Sequence, residues 1–250
     1  MSPSPIPKVL SVMRSHGVEA LLMGGQACVL YGAAEFSRDA DFAVLASEHN
    51  LERLRAALAE LEAEVVAVPP FERRFLERGH AVHFRCHDPA VAGFRVDIMC
   101  RLRGVASFPV LWARRTTWDL TGELVVDSLS LPDLLASKKT QRDKDWPMIR
   151  RLVEANYDQG YAAPAAEQVD FWLRELRTPA VLIEAAERFP EAAAAIAPER
   201  LAVAAAVAGA EGAVVAALAA EEQTERARDA DYWKPLRAEL EALRRSTKGH

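Results

Sequence analysis

Two adjacent glycines, Gly24 and Gly25, stand between the largely apolar run Val18 to Met23 and the helix-compatible residues Gln26 to Tyr31, which stop at Gly32. An apolar run of that length reads as a buried strand, and glycine lets the chain reverse into a helix within a residue or two. The glycines therefore mark a strand-to-helix turn, which implies a sheet flanked by helices.

The surrounding residues extend that pattern. Ile6, Val9, Leu10 and Met13 recur at helical spacing over residues 6–16 and deliver the chain to the first strand. Beyond the turn, Asp39 to Leu45 alternates as a strand, Ser47 caps a helix running to about Glu62, and Glu64 to Val68 is a further strand. Ala81 to Cys86 and Phe94 to Cys100 are two more, separated by the turn-rich HDPAVAG. From Leu131 onward the spacing predicts helices, first over Pro132 to Lys139 and then over Asp145 to Asn156. After a linker around Tyr157 to Pro164, alanine, leucine, glutamate and arginine dominate, with helix limits set by Pro179, Pro190 and Pro198. The expectation is an α+β protein: a small mixed sheet with flanking helices over residues 1–156, then an α-helical region over 157–250.

A net charge of −5 argues against a general nucleic-acid binder, which would display a basic face. The three cysteines, Cys28, Cys86 and Cys100, form no CxxC pair and read as buried thiols suited to a reducing cytoplasm. MSPSPIPKVL lacks a basic segment followed by a long apolar one, and charge interrupts the later alanine-rich tracts every few residues, so neither an export signal nor a membrane span is expected.

Chemistry concentrates in three places. On an extended strand, Asp39 and Asp41 project two carboxylates to the same side, and like charges so close need a cation, a proton or full solvation. A pair of Mg²⁺ ions roughly 4 Å apart would turn such a cluster to phosphoryl or nucleotidyl transfer, while a solvated strand end would explain the same two residues. Asp97 lies inside the apolar FRVDIM, where an unpaired carboxylate is costly to bury, so it either completes a metal cradle or pairs with Arg95 or Arg101. Arg95 is two residues away, on the same side of the strand, and is compatible with both. Lys138, Lys139, Arg142 and Lys144 gather in KKTQRDK, where Lys138 and Arg142, four apart, would share a helical face, solvated or turned to a triphosphate. The segment HAVHFRCHD offers His80, His83, Cys86 and His87 as conceivable zinc ligands, although Cys86 would face away from His83 and His87 on a strand.

In order and spacing, GG at 24–25, YG at 31–32, SRDADF at 37–42, VDIM at 96–99 and DLLASKKTQRDKDWPMI resemble the nucleotidyltransferase superfamily with the DNA polymerase β-type fold. Within it, the AbiEii/AbiGii toxin-like branch is the most similar, over about residues 5 to 156. The resemblance implies a metal-dependent nucleotidyltransferase that moves a nucleotide from an NTP to an acceptor hydroxyl on a tRNA, a protein or a small molecule. It implies phosphate contacts at Gly24 and Gly25, and two Mg²⁺ ions (or Mn²⁺) held by Asp39, Asp41 and Asp97. Lys138 would then reach the triphosphate, followed by Arg142, Lys144 and Asp145, and an antitoxin would be a possible partner.

The chain departs from the family at Gln26, where serine or a small residue is common nearby, and at Glu35, where relatives often carry arginine. A catalytically degenerate nucleotide- or partner-binding protein of the same fold is the alternative.

Overall fold

The structure, a computed structural model of the chain, describes residues 5–120, 122 and 124–248. In chain order the elements are α1 (Ile6–Ser15), β1 (Ala20–Met23), α2 (Gly24–Leu30), β2 (Asp39–Val44), α3 (Glu48–Glu60), β3 (Glu64–Val65), α4 (Arg73–Arg78), β4 (Val82–Arg85) and β5 (Arg95–Met99). There follow α5 (Phe108–Ala113), β6 (Thr116–Asp119), β7 (Val125–Ser128), α6 (Leu131–Lys138), α7 (Asp145–Gly160), α8 (Ala166–Glu175), α9 (Pro179–Arg188), α10 (Pro190–Ile196), α11 (Leu201–Val207) and α12 (Glu211–Lys248). The protein is α+β, with one mixed sheet in the order β3-β4-β5-β2-β1-β7-β6. Strands β2 and β5 run parallel, as do β1 and β7, while the other neighbours are antiparallel.

By its internal contacts the chain divides into two compact units, the first comprising residues 1–30, 34–137 and 232–250 and the second 31–33 and 138–231. Helix α7 continues through Tyr157, which is buried, so the expected linker begins inside a helix.

In the first unit the sheet buries one face under α1 and α3. Val9, Leu10 and Met13 of α1 and Leu51, Leu54 and Leu58 of α3 join Ala40, Phe42 and Val44 of β2, Val82 and Phe84 of β4, and Val96 and Ile98 of β5 in one core. Because side chains alternate along a strand, burying the even-numbered residues of these three strands commits the odd-numbered ones to the opposite face. That face receives Asp39 and Asp41 of β2, His83 and Arg85 of β4, and Arg95 and Asp97 of β5.

Ser47 caps α3 as expected, its hydroxyl accepting from the Asn50 amide at 3.2 Å. The buried Asn50 side chain then ties the helix to the strands, donating to the Leu45 and Glu19 carbonyls and accepting from the Glu19 amide. The β6–β7 hairpin has no counterpart among the expected strands. Each of its arms is only four residues long, and TTWD buries no residue fully, so neither shows a strong apolar signal.

The last part of α12 belongs to the first unit. Its Glu239 accepts from Arg78 Nε at 2.9 Å and lies 2.8 Å from Nε2 of the fully buried His80.

In the second unit, Trp172 Nε1 donates to Asn156 and its ring meets Tyr157 edge-on at 4.8 Å. Arg200, 8% exposed, donates to the Leu173 and Leu176 carbonyls at the end of α8 and to Glu221. The C-terminal orphan carbonyls of that helix are satisfied by a buried guanidinium.

Pro179 and Pro190 open α9 and α10, and Pro198 follows the end of α10. All three cysteines are free thiols; Cys28 and Cys86 are buried and Cys100 only partly so. Among the described residues no helix is long and apolar enough to cross a membrane.

Candidate functional site

Register brings the three acids together. Asp41 of β2 pairs directly with Asp97 of β5, and Asp97 pairs in turn with His83 of β4. One step along, Asp39 pairs with Arg95, which pairs with Arg85. Two residues of separation on β2 and one strand of lateral spacing therefore place Asp39, Asp41 and Asp97 on one patch of the sheet, in a single compact unit.

Gly24 and Gly25 serve this patch sterically. Gly24 has φ +66°, and a Cβ there would fall 1.8 Å from Asp41 Oδ2. At Gly25 the Cβ would fall 2.5 Å from Ser37 Oγ. Their missing side chains admit the residues that carry and orient the acids. The glycines do not precede a helix beginning at Gln26, as expected, but form the first residues of α2, because backbone turns there as soon as β1 ends.

Asp39 is oriented by a short relay. Ser37 Oγ donates to Asp39 Oδ1 at 2.9 Å, and Gln26 Nε2 holds the Ser37 carbonyl at 3.2 Å. Gln26, a departure from the family pattern, is buried and secures the loop before the acids. Glu35, the other departure, is exposed.

Asp97 is the most enclosed of the three, at 8% exposure. Arg95 Nη2 donates to its Oδ2 at 2.7 Å, and His83 Nδ1 lies 2.9 Å from its Oδ1. Burial pushes the Asp97 carboxyl up, but the His83 ring and the Arg95 guanidinium together outweigh burial and hold it below the usual carboxylate range. Arg95 is raised in turn, first by its hydrogen bond to Asp97 and further by the charges of Asp39 and Asp41. Of the two arginines weighed for Asp97, Arg95 is thus its partner, while Arg101 donates to the Glu77 carbonyl.

Three aspartates supply the hard oxygen donors that Mg²⁺ prefers, and Asp97 Oδ1 is a buried acceptor with no hydrogen bond, so these residues fit a divalent cation. As they stand, no three or more His, Cys, Asp or Glu residues among those described converge into a group that would hold a metal ion. A guanidinium is in contact with Asp97 instead. The HAVHFRCHD residues are dispersed to separate partners: His80 to Glu239, His83 to Asp97, His87 to within 3.7 Å of Glu64, with Cys86 buried in the core.

Lys138 and Arg142 belong to the second unit. They do not share a helical face, because α6 ends at Lys138 and α7 starts at Asp145. The intervening backbone is drawn off the helix by side-chain acceptors. Thr140 Oγ1 and Arg142 Nε both donate to the buried Asp145 carboxylate, and the Gln141 amide donates to Asp229. Lys138 is 8% exposed, whereas Arg142 is exposed and already committed to Asp145.

Neither a scan against protein-family models nor a search of curated proteins returns a match to this chain.

Ser37, Gln26 and His83 are participants that sequence reasoning did not assign to the acid patch. Ser37 had a local signal, since a hydroxyl two residues before an aspartate is placed to bond it. The contacts of Gln26 and His83 depend on pairings distant in sequence.

Proposed function

We propose that the chain is a metal-dependent nucleotidyltransferase that transfers a nucleotide from an NTP to an acceptor hydroxyl on a tRNA, a protein or a small molecule. One observation carries it: Asp41 and Asp97 are paired across β2 and β5, with Asp39 on the same face. The acceptor oxygen would bond to the α-phosphorus as the bond to pyrophosphate breaks.

Asp39, Asp41 and Asp97 would hold two Mg²⁺ or Mn²⁺ ions. When bound, these ions supply charge neutralisation at the phosphates and a lowered pKa for the acceptor hydroxyl. Ser37 would keep Asp39 in its rotamer, Asp97 would assist proton removal, and the backbone at Gly24 and Gly25 would approach the phosphates. The motif resemblance assigns Lys138 and Arg142 to the triphosphate, and Arg142 would have to leave Asp145 to take that role. The three free thiols support a cytoplasmic setting, and an antitoxin is a possible partner.

A second reading, a nucleotide- or partner-binding protein that has lost catalysis, is favoured by the Arg95 contact within the acid patch and by Glu35. Both are tested by incubating the protein with each labelled NTP, Mg²⁺ or Mn²⁺, and cell extract, beside Asp41→Asn. Label transfer with pyrophosphate release that disappears in Asp41→Asn supports the transferase. Retained activity in that variant sinks the assignment, and NTP binding without any release supports the degenerate protein.

A further inference from the structure

Arg95 has no task in the two-metal scheme, yet it is built into the acid patch. Its guanidinium donates to Asp97 Oδ2 at 2.7 Å, and its backbone position is the cross-strand partner of Asp39. Three carboxylates on one patch repel one another, and a fixed cation among them relieves that repulsion without any ligand. A guanidinium on Asp97 opposes the binding of divalent ions to the same carboxylate, because like charges at contact distance repel. The Arg95 side chain is 43% exposed, so its route into solvent is open, whereas Asp97 is 11% exposed by side chain and stays. Asp97 Oδ1 faces His83 Nδ1 at 2.9 Å and not the guanidinium, so Arg95 engages only one of the two carboxylate oxygens.

We propose that Arg95 is the resident counter-ion of the acid patch and that divalent metal binds by exchange with its guanidinium, which swings into solvent as the three carboxylates converge. The proposal rests on the assignment of Asp39, Asp41 and Asp97 to metal. It makes Arg95 a positioning residue that holds the metal-free patch together and sets how readily metal enters.

The experiment is calorimetric titration of Mn²⁺ alone into chelator-stripped wild type, Arg95→Gln, Arg95→Lys and Asp41→Asn, with melting curves in chelator and in Mn²⁺. Removing the competing charge should tighten Mn²⁺ binding by about tenfold in Arg95→Gln. Arg95→Lys, which keeps the charge, should remain near wild type. In chelator Arg95→Gln should melt below wild type, and Mn²⁺ should raise its melting temperature by more.

If wild type binds Mn²⁺, Asp41→Asn does not, and Arg95→Gln binds no tighter than wild type, counter-ion exchange is overturned while the metal assignment stands. If neither wild type nor Arg95→Gln binds Mn²⁺, both fall. Should Arg95→Gln fail to fold, the Arg95 Nε resonance of the wild type, assigned by its loss in Arg95→Lys, reports directly. It should move on Mg²⁺ addition, and an unmoved resonance in protein that binds Mg²⁺ overturns the exchange.

Discussion

Gly24 and Asp41 are in such close approach that a single added methyl group at position 24 would stand 1.8 Å from the Asp41 carboxylate oxygen. The glycine also holds φ +66°, so alanine would be strained there even without the clash. Gly24→Ala should lose about 1–3 kcal/mol of stability and displace Asp41. Urea unfolding reads the first effect, and pyrophosphate release the second; wild-type values in both would dissociate the turn from the acid.

Asp97 should make stability depend on pH in a definite direction. Its folded-state carboxyl is held below the ordinary value, so its contribution is fully present above the unfolded pKa of about 3.9 and is lost as pH falls through the lower folded value. Asp97→Asn should therefore cost about 2 kcal/mol near neutrality, with the gap to wild type closing in acid. Denaturant midpoints of both proteins across pH 2–7 check this; a gap that widens in acid would contradict it.

Arg200→Ala should be among the most damaging changes in the second unit. It strips the carbonyls of Leu173 and Leu176 of their donor and leaves Glu221 to Arg177 alone, a loss of about 2–4 kcal/mol. Thermal melting followed by helical circular dichroism measures it, and an unaltered melt would show that the guanidinium is dispensable.

Glu239 should anchor the end of α12 that belongs to the first unit. Its carboxyl is lowered first by the hydrogen bond from Arg78 and then by that to His80. Glu239→Gln should lower amide protection factors over residues 236–246 at neutral pH, and wild type should lose the same protection, measured against the intrinsic rate at each pH, as acid protonates Glu239. Equal protection in the two proteins at neutral pH would argue against the anchor.

Lys138→Ala tests the proposed phosphate contact. A charge-assisted bond to the triphosphate predicts that NTP binding weakens by about tenfold or more, with little change in Mn²⁺ binding. Fluorescent-nucleotide titration distinguishes this from a lysine that merely packs its stem, for which nucleotide affinity would stay at the wild-type level.

Much of the sheet could be read from local pattern, because the runs around Leu22, Phe42, Phe84 and Val96 carry strand periodicity within a few residues. The same alternation put Asp39 with Asp41, and Arg95 with Asp97, on common sides of their strands. The β6–β7 hairpin was not legible, since its short arms gain their strand character from neighbours rather than from their own residues. The shared helical face of Lys138 and Arg142 was misread because Asp145 nearby and Asp229, brought in by folding, outcompete helical bonds in the segment between.

The sequence by itself determined that two glycines had to end the first strand, that two aspartates would share a side, and that Asp97 would need a partner once buried. All three follow from backbone freedom, strand geometry and desolvation, which act within a few residues. Only the tertiary structure decided that β5 lies beside β2 in the register pairing Asp41 with Asp97. It likewise decided that Gly24 makes room for Asp41 and that Arg95 is in contact with Asp97 within the acid patch. Register and strand order are set by how whole strands bury their apolar faces against α1 and α3, a global packing condition that no short stretch of residues carries.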